Sequence, residues 1–367
     1  MENYMSVDKN MIDQSMIGNT EVAWYDIKKA PFSLHGLYDP LHTPYYRRVP
    51  ADVAAATSEG VNKLARESAG GRVRFATDSP FIAIRAKFLA VGRSPRMPMT
   101  GTTGFDLYVD GEYGSRFLKE FRMPLDMVDS YEQLLQTHGD TMRTFTINFP
   151  LHSVVESLEV GLKPGAALGE ARPYRDIEPI VFYGSSIVHG TAATRPGFTY
   201  ESIISREMNL DYTNLGFSGQ AKAEGVLCEW MATLPMSIFV CDYDHNAPDV
   251  AHLENTHYAM YEIIRKKHPD VPYVMITRPD YWTQYADQEV ILQRRDVIMA
   301  SYLKARATGD KNVYFIDGLS FNIAPHQYEM TVDSIHPNDT GFVRMADTIG
   351  TVIRHILEKK DLSRRRN

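Results

Sequence analysis

Between residues 180 and 316, five short apolar runs (180–183, 212–215, 238–241, 273–276 and 313–316) alternate with stretches of helical spacing, notably 253–267 and 288–307. A four-residue apolar run is too short for a helix and reads as a strand covered on both faces. Apolar residues recurring every three or four positions read as a helix with one buried side. Repeated strand–helix units imply a parallel sheet with helices on both faces, and a last helix covers about 340–359. In such folds ligands sit beyond the carboxyl ends of the strands, so the residues directly after each run bear the functional reading.

The preceding part of the chain follows another rule. From 22 to 162 it is β-rich, with runs at 72–75, 81–88 and 144–149 and a strand-like 104–111 that ends in Asp110-Gly111, a pair suited to closing a hairpin. No long amphipathic helix interrupts it, which favours an antiparallel β-sandwich or jelly roll. Residues 163–173 are rich in Gly, Ala and Pro without a strand pattern and mark a boundary. The 367 residues therefore divide into a β unit at 20–170 and an α/β unit at 175–360.

Composition removes several function classes. With 44% hydrophobic and 23% charged residues the chain is an ordinary globular protein. Its 46 acidic and 39 basic residues give a net charge of -7, the wrong sign for a nucleic-acid binder. No run reaches the length of a membrane span, and the first twenty residues lack the basic and apolar regions of a secretory leader. A cytoplasmic location is expected, or a secreted one if a leader has been removed. Cys228 and Cys241 form neither a disulfide framework nor a ligand spacing and read as small apolar side chains. The Arg364-Arg365-Arg366 tail reads as a solvated end.

Four strand ends hold groups suited to acyl chemistry. In Tyr183-Gly184-Ser185-Ser186-Ile187, glycine permits a tight turn and a hydroxyl stands at a helix N-terminus, where backbone N–H groups and the helix dipole favour negative charge. Asn214-Leu215-Gly216-Phe217-Ser218-Gly219 ends in a glycine whose N–H can approach a ligand closely. Asn246, in Asp242-Tyr243-Asp244-His245-Asn246, can aim an amide into the cleft. In Asp333-Ser334-Ile335-His336 one short turn lets a carboxylate hold an imidazole, as a serine-activating base requires. Taken singly, each segment is also an ordinary cap or βα loop.

Metal chemistry fits poorly. Asp242-x-Asp244-x-Asn246 copies the opening of a calcium loop, but Ala247 replaces the needed glycine and Leu253 occupies position twelve. His252 and His257 lie five apart, too far for paired ligands on one helix face, and read as surface or capping residues.

Together the four segments resemble the SGNH, or GDSL-type, hydrolase family, whose four blocks occur in this order after these strands. The resemblance implies a flavodoxin-like SGNH hydrolase domain with a five-stranded parallel sheet, following an antiparallel, jelly-roll-like β-sandwich. It implies Ser186 as nucleophile, His336 as general base and Asp333 as its orienter, with the Ser186 amide, Gly219 and Asn246 as oxyanion donors. Gly104-Phe105-Asp106-Leu107-Tyr108 is similar to the GxDLY signature of an N-terminal β domain found in a bacterial subgroup. Two residues depart from the pattern: Ser185 stands where the GDSL form has aspartate, and Asp244 stands where the third block has glycine. Asp244 is expected to alter shape or charge beside the oxyanion site.

The implied reaction is ester hydrolysis through a covalent acyl-enzyme, with no cofactor or metal. Tyr243, His245, Tyr281 and Trp282 are expected to line the mouth, where sugars could stack, and family resemblance favours acetyl esters of carbohydrates. The rivals are a lysophospholipase or thioesterase on longer acyl chains and a catalytically inactive carbohydrate-binding protein. A small-molecule or oligosaccharide ester is the expected partner, with no nucleic acid or membrane, and a homo-oligomer is left open. His336 is expected to titrate near the ordinary histidine value of about 6.5, pushed upward by Asp333.

Overall fold

The computed structural model describes residues 17–111, 114–322 and 327–364. The first sixteen residues and most of the basic tail, on which the leader and tail expectations rest, lie outside them.

In the N-terminal half, β1 (Ala23–Asp26), β2 (Ser33–His35), β3 (Arg72–Thr77), β4 (Phe81–Ala90), β5 (Phe105–Gly111), β6 (Gly114–Phe121), β7 (Ser130–Gln136), β8 (Arg143–Asn148), β9 (Val154–Leu162) and β10 (Leu168–Gly169) form two antiparallel sheets. One runs β1-β9-β4-β7; the other runs β10-β3-β8-β5-β6, with β2 beside β3. Side chains alternate along each strand, so Phe75, Phe105, Leu107 and Phe145 of one sheet share a core with Ile82, Ile84 and Val160 of the other. The β5–β6 hairpin forms, but Asp110 and Gly111 are ladder residues paired with Ser115 and Gly114, so the connection falls on 112–113. Asp110 is held in the strand by Arg74, whose Nη2 lies 3.0 Å from its carboxylate.

In the C-terminal half, β11 (Ile180–Gly184), β12 (Tyr212–Gly216), β13 (Ile238–Asp242), β14 (Tyr273–Ile276) and β15 (Val313–Ile316) form a parallel sheet in the order β12-β11-β13-β14-β15. Residues from α6 (Gly225–Met231), α7 (Val250–Lys267) and α8 (Gln288–Ala307) cover one face. Residues from α5 (Tyr200–Met208) and α9 (Asp339–Arg364) cover the other. Two short helices of the N-terminal half, α1 (Ala51–Thr57) and α2 (Glu59–Leu64), leave the sandwich and join the first layer, where Ala54 and Val61 share a core with Val181 and Leu215.

Two contacts lock the halves together. Alternation along β5 sends Phe105 and Leu107 inward and Asp106 and Tyr108 outward, onto the short turn Pro196–Phe198. There Gly197 N–H donates to Asp106 Oδ2 at 2.7 Å, and Tyr108 O–H donates to Gly197 O at 3.1 Å. The GxDLY segment is thus a docking strand. Along the edge strand β12, the outward carbonyls of Tyr212, Asn214 and Gly216 accept from Arg72 Nη2 at 2.9 Å and Arg48 Nη1 at 3.3 and 2.7 Å. Both arginines are buried and come from the N-terminal half.

Candidate active site

Strand order reverses between β11 and β13, and the loops beyond their carboxyl ends open the crevice where such sheets bind ligands. Gly184 is needed there because a Cβ would fall 2.1 Å from Asp242 O on the neighbouring strand. The chain then turns into α4 (Ser186–His189), a single turn of helix. Ser185 caps it by accepting from Ile187 N–H at 3.2 Å, so the serine found in place of aspartate has a local role.

Ser186 is 8% exposed, and its Oγ lies 2.9 Å from His336 Nε2. His336 Nδ1 lies 2.8 Å from Asp333 Oδ2, while His336 N–H donates to Asp333 Oδ1 at 2.9 Å. The carboxylate therefore grips both the ring and the backbone of one tight turn, in which Ser334 takes a left-handed φ of 70°. With Nδ1 donating to Asp333, Nε2 is left to accept the Ser186 proton.

Burial lowers the His336 pKa and outweighs the hydrogen bond and charge of Asp333; His245 and Arg96 push the same way. The expected upward shift is thus reversed. Arg96, from the N-terminal half, places Nε 2.7 Å from Asp333 Oδ2. Burial works to raise the Asp333 pKa, but its bonds to His336 and Ile335 hold it below the ordinary value.

The other two blocks converge on the same end of the sheet. Ser186, as the first residue of α4, has no carbonyl four positions back to receive its N–H. Gly219 adopts a φ of 72° with open space where a Cβ would stand, so backbone conformation rather than crowding favours glycine. Asn246 Oδ1 accepts from Ala221 N–H at 3.2 Å, which leaves its NH2 group as the donor. Asp244 turns away: Oδ1 receives Arg294 Nε at 2.8 Å and Oδ2 receives Arg278 N–H at 3.0 Å. Its carboxylate is paired with Arg294 and helps to hold the loop that carries Asn246.

The expected mouth residues divide. Tyr243 is fully buried, with its hydroxyl 2.7 Å from Thr256 Oγ1 and its ring between Tyr183 and His257, so it belongs to the core and not to the mouth. His257 is likewise buried, with Nε2 3.8 Å from Cys241 Sγ, rather than a surface or capping residue. His245 is nearly buried, with Nε2 3.3 Å from Asp280 Oδ1. Tyr281 and Trp282 are half-buried and meet edge to face at 4.9 Å. Their segment docks on the histidine turn, as Thr283 Oγ1 and Gln284 Nε2 donate to Ser334 O at 2.6 and 2.9 Å.

No spacing in the sequence points to a second cluster. Glu67, His152 and His189 bring one potential ligand atom each within 4.8 Å of one another. Glu67 Oε2 lies 3.0 Å from His189 Nε2 and 3.1 Å from His152 Nδ1, the distances of shared hydrogen bonds. The two imidazoles lie 4.2 Å apart and 32° from parallel, and one oxygen of the Glu67 carboxylate meets a nitrogen of each. His189 Nε2 also meets Leu151 O at 2.9 Å, which fixes its proton there. The arrangement suits a hydrogen-bond relay.

Comparisons with known proteins address the fold and the family. Residues 177–354 match the model of the GDSL-like Lipase/Acylhydrolase family, and residues 22–168 match the GxDLY N-terminus of the Esterase_SGNH_hydro type. A search of curated proteins gives no match. A solved chain from Bacteroides ovatus, described as a GDSL-like lipase, is 28% identical and superposes with a TM-score of 0.83 over 92% of this chain and 98% of its own. A salicylyl-acyltransferase from a tetracycline biosynthetic pathway shares the fold at 21% identity and a TM-score of 0.72, covering 89% of this chain and 95% of its own. So does an active-site mutant of a family two carbohydrate esterase from Clostridium thermocellum, at 14% and 0.62, over 89% of this chain and 98% of its own. Each half of the molecule is accounted for by its own model, in the order the motifs stand in the sequence, and the chain belongs to the GDSL-like lipase/acylhydrolase, or SGNH esterase, family in the form that carries a GxDLY N-terminal domain.

Proposed function

We propose that the protein is a serine esterase that removes short acyl groups, acetyl foremost, from carbohydrates. The observation that carries this reading is the unbroken hydrogen-bonded chain from Ser186 through His336 to Asp333. His336 Nε2 takes the Ser186 proton as Oγ bonds to the ester carbonyl carbon, and the carbonyl π electrons move onto oxygen. The Ser186 and Gly219 amides and the Asn246 NH2 group receive that oxyanion. Collapse expels the sugar hydroxyl, which takes the proton from His336 and leaves an acyl-serine. Water then attacks the acyl carbon, giving a proton to His336; collapse breaks the bond to Ser186 Oγ, which takes that proton from His336, and the carboxylic acid is released.

The substrate class rests on the mouth and on the neighbours. Tyr285 and Tyr328 are exposed at 70% and 55%, with ring centroids 6.5 Å apart. Tyr285 directly follows Gln284, which holds the histidine turn. Such rings suit the C–H faces of a pyranose, and the fold neighbours include carbohydrate esterases.

The test is turnover of 4-nitrophenyl esters of rising acyl length beside acetate release from acetylated oligosaccharides. Wild type should favour acetate, a fluorophosphonate should label Ser186, and Ser186→Ala should be inactive with an unchanged melting temperature. A preference for long acyl chains would favour the lysophospholipase or thioesterase reading. Full turnover in Ser186→Ala would refute the mechanism.

A further inference from the structure

The segment that presents the Gly219 amide is gripped from the other half of the molecule. Ser218 N–H can only donate, and it faces His189 Nδ1 at 3.4 Å with Ser218 Oγ at 3.1 Å, so Nδ1 is the unprotonated nitrogen. The proton on Nε2 then goes to Leu151 O, with Glu67 Oε2 3.0 Å from the same nitrogen, both supplied by the N-terminal half. A second path leaves the same carboxylate through His152: its Nε2 meets Thr191 Oγ1 at 3.0 Å, and Thr191 Oγ1 lies 3.2 Å from Ser218 Oγ. One carboxylate thus anchors two routes that converge on the residue before Gly219. His189 is also the last residue of the helical turn that begins at Ser186, so the relay ties the nucleophile to the donor loop.

The charges keep this relay fixed. Burial works to raise the Glu67 pKa, but hydrogen bonds from His152 and His189 hold it well below the usual carboxylate range. Burial, with the charges of His152 and Arg48, lowers His189 to about 3, so it remains a neutral ring with one donor and one acceptor. Arg48 anchors the start of the same segment at Gly216 O. A metal ion would have to displace the protons that make these bonds.

We infer that Glu67 is a positioning residue for the oxyanion site: its carboxylate braces the His189 ring directly and the Ser218 hydroxyl through His152 and Thr191, and so holds the Ser218–Gly219 peptide where its amide meets the developing negative charge. Oxyanion donors act only when placed to within a few tenths of an ångström before the charge appears, so slackening the peptide should weaken the transition state more than the bound substrate. The inference rests on the proposed roles of Ser186 and Gly219.

The experiment compares the full chain with Glu67→Gln and Ser218→Ala on 4-nitrophenyl acetate, with active sites counted by fluorophosphonate labelling. Glu67→Gln keeps the shape but loses the charge. Its kcat per labelled site should fall about tenfold, short of the 10²–10³ expected for outright loss of a donor. KM should change less than about twofold, and the pH midpoint set by His336 should not move. Ser218→Ala loses the hydroxyl but keeps the N–H bond to His189, so kcat should fall less at an unchanged KM. A folded Glu67→Gln with wild-type kcat per site overturns the inference, as does a lower melting temperature with unaltered kcat, which would mark a purely structural role. If Glu67→Gln does not fold, Ser218→Ala decides, and wild-type kcat there overturns it. An active Ser186→Ala run alongside would sink the mechanism as well; an inactive one with wild-type kcat in both other variants sinks this inference alone.

Discussion

Arg96 acts on the proposed base without reaching it. Its guanidinium, 55% exposed, shares Asp333 Oδ2 with the His336 ring and so adds a cation beside the imidazole. Together with burial and His245, it lowers the His336 pKa against the pull of Asp333. Only the neutral imidazole accepts the serine proton, so kcat/KM should rise with pH with its midpoint below the ordinary histidine value of about 6.5. Arg96→Gln removes one lowering charge and leaves Asp333 to His336 alone. The midpoint of a pH profile on 4-nitrophenyl acetate should move upward; an unmoved or lower midpoint would show that the cation does not act on His336. The proposed catalytic residues were legible because each sits in a local pattern, and Asp333 and His336 share one turn. Arg96 and Glu67 were not, since folding alone brings them from distant parts of the chain. Tyr243 was misread although alternation already placed it: Phe239, Cys241 and Tyr243 point to one face, and that face is core.

At the scale of elements, β11, β13 and β14 were legible because each is buried throughout and reads as an apolar run, whereas the edge strands β12 and β15 carry half-buried residues at Thr213, Tyr314 and Phe315. Helices α1 and α2 escaped notice, being too short to show a period. The loop after β13 depends on α8 in a way that no local motif announces. Arg294, 4% exposed, ties Asp244 Oδ1 at 2.8 Å and Ala247 O at 2.9 Å, fastening both ends of the turn that carries Asn246. Arg294→Met keeps much of the bulk but leaves the Asp244 carboxylate buried without its partner. A loss of about 3–5 kcal/mol is expected in urea unfolding, as for a broken buried pair. Adding Asp244→Asn should recover part of it, because the stranded charge is then gone. A single variant as stable as wild type would show that water or another cation takes the place of Arg294.

Across the whole molecule, the seam explains why a motif far from the proposed nucleophile belongs to the same protein. Asp106 and Tyr108 close on Gly197, where an added Cβ would fall 2.4 Å from the Tyr108 ring. Burial raises the Asp106 pKa to about 6, offset in part by Asn148 and the Gly197 N–H. Gly197→Ala should displace the ring and strain both hydrogen bonds, at a cost of about 1–3 kcal/mol typical of overpacking. A lowered melting temperature with faster proteolysis between the halves is the expected result, and wild-type values for both would show that the seam yields without strain.

Arg48 and Arg72 have a consequence for the open edge of the parallel sheet. An edge strand with open carbonyls is a template for pairing with another molecule, yet along β12 the outward carbonyls are filled by side chains that precede it in the sequence. Arg48 and Arg72 precede β12 by well over a hundred residues, so folding alone brings these side chains to that edge. That edge of the sheet is covered by guanidinium groups where other proteins use a neighbouring strand.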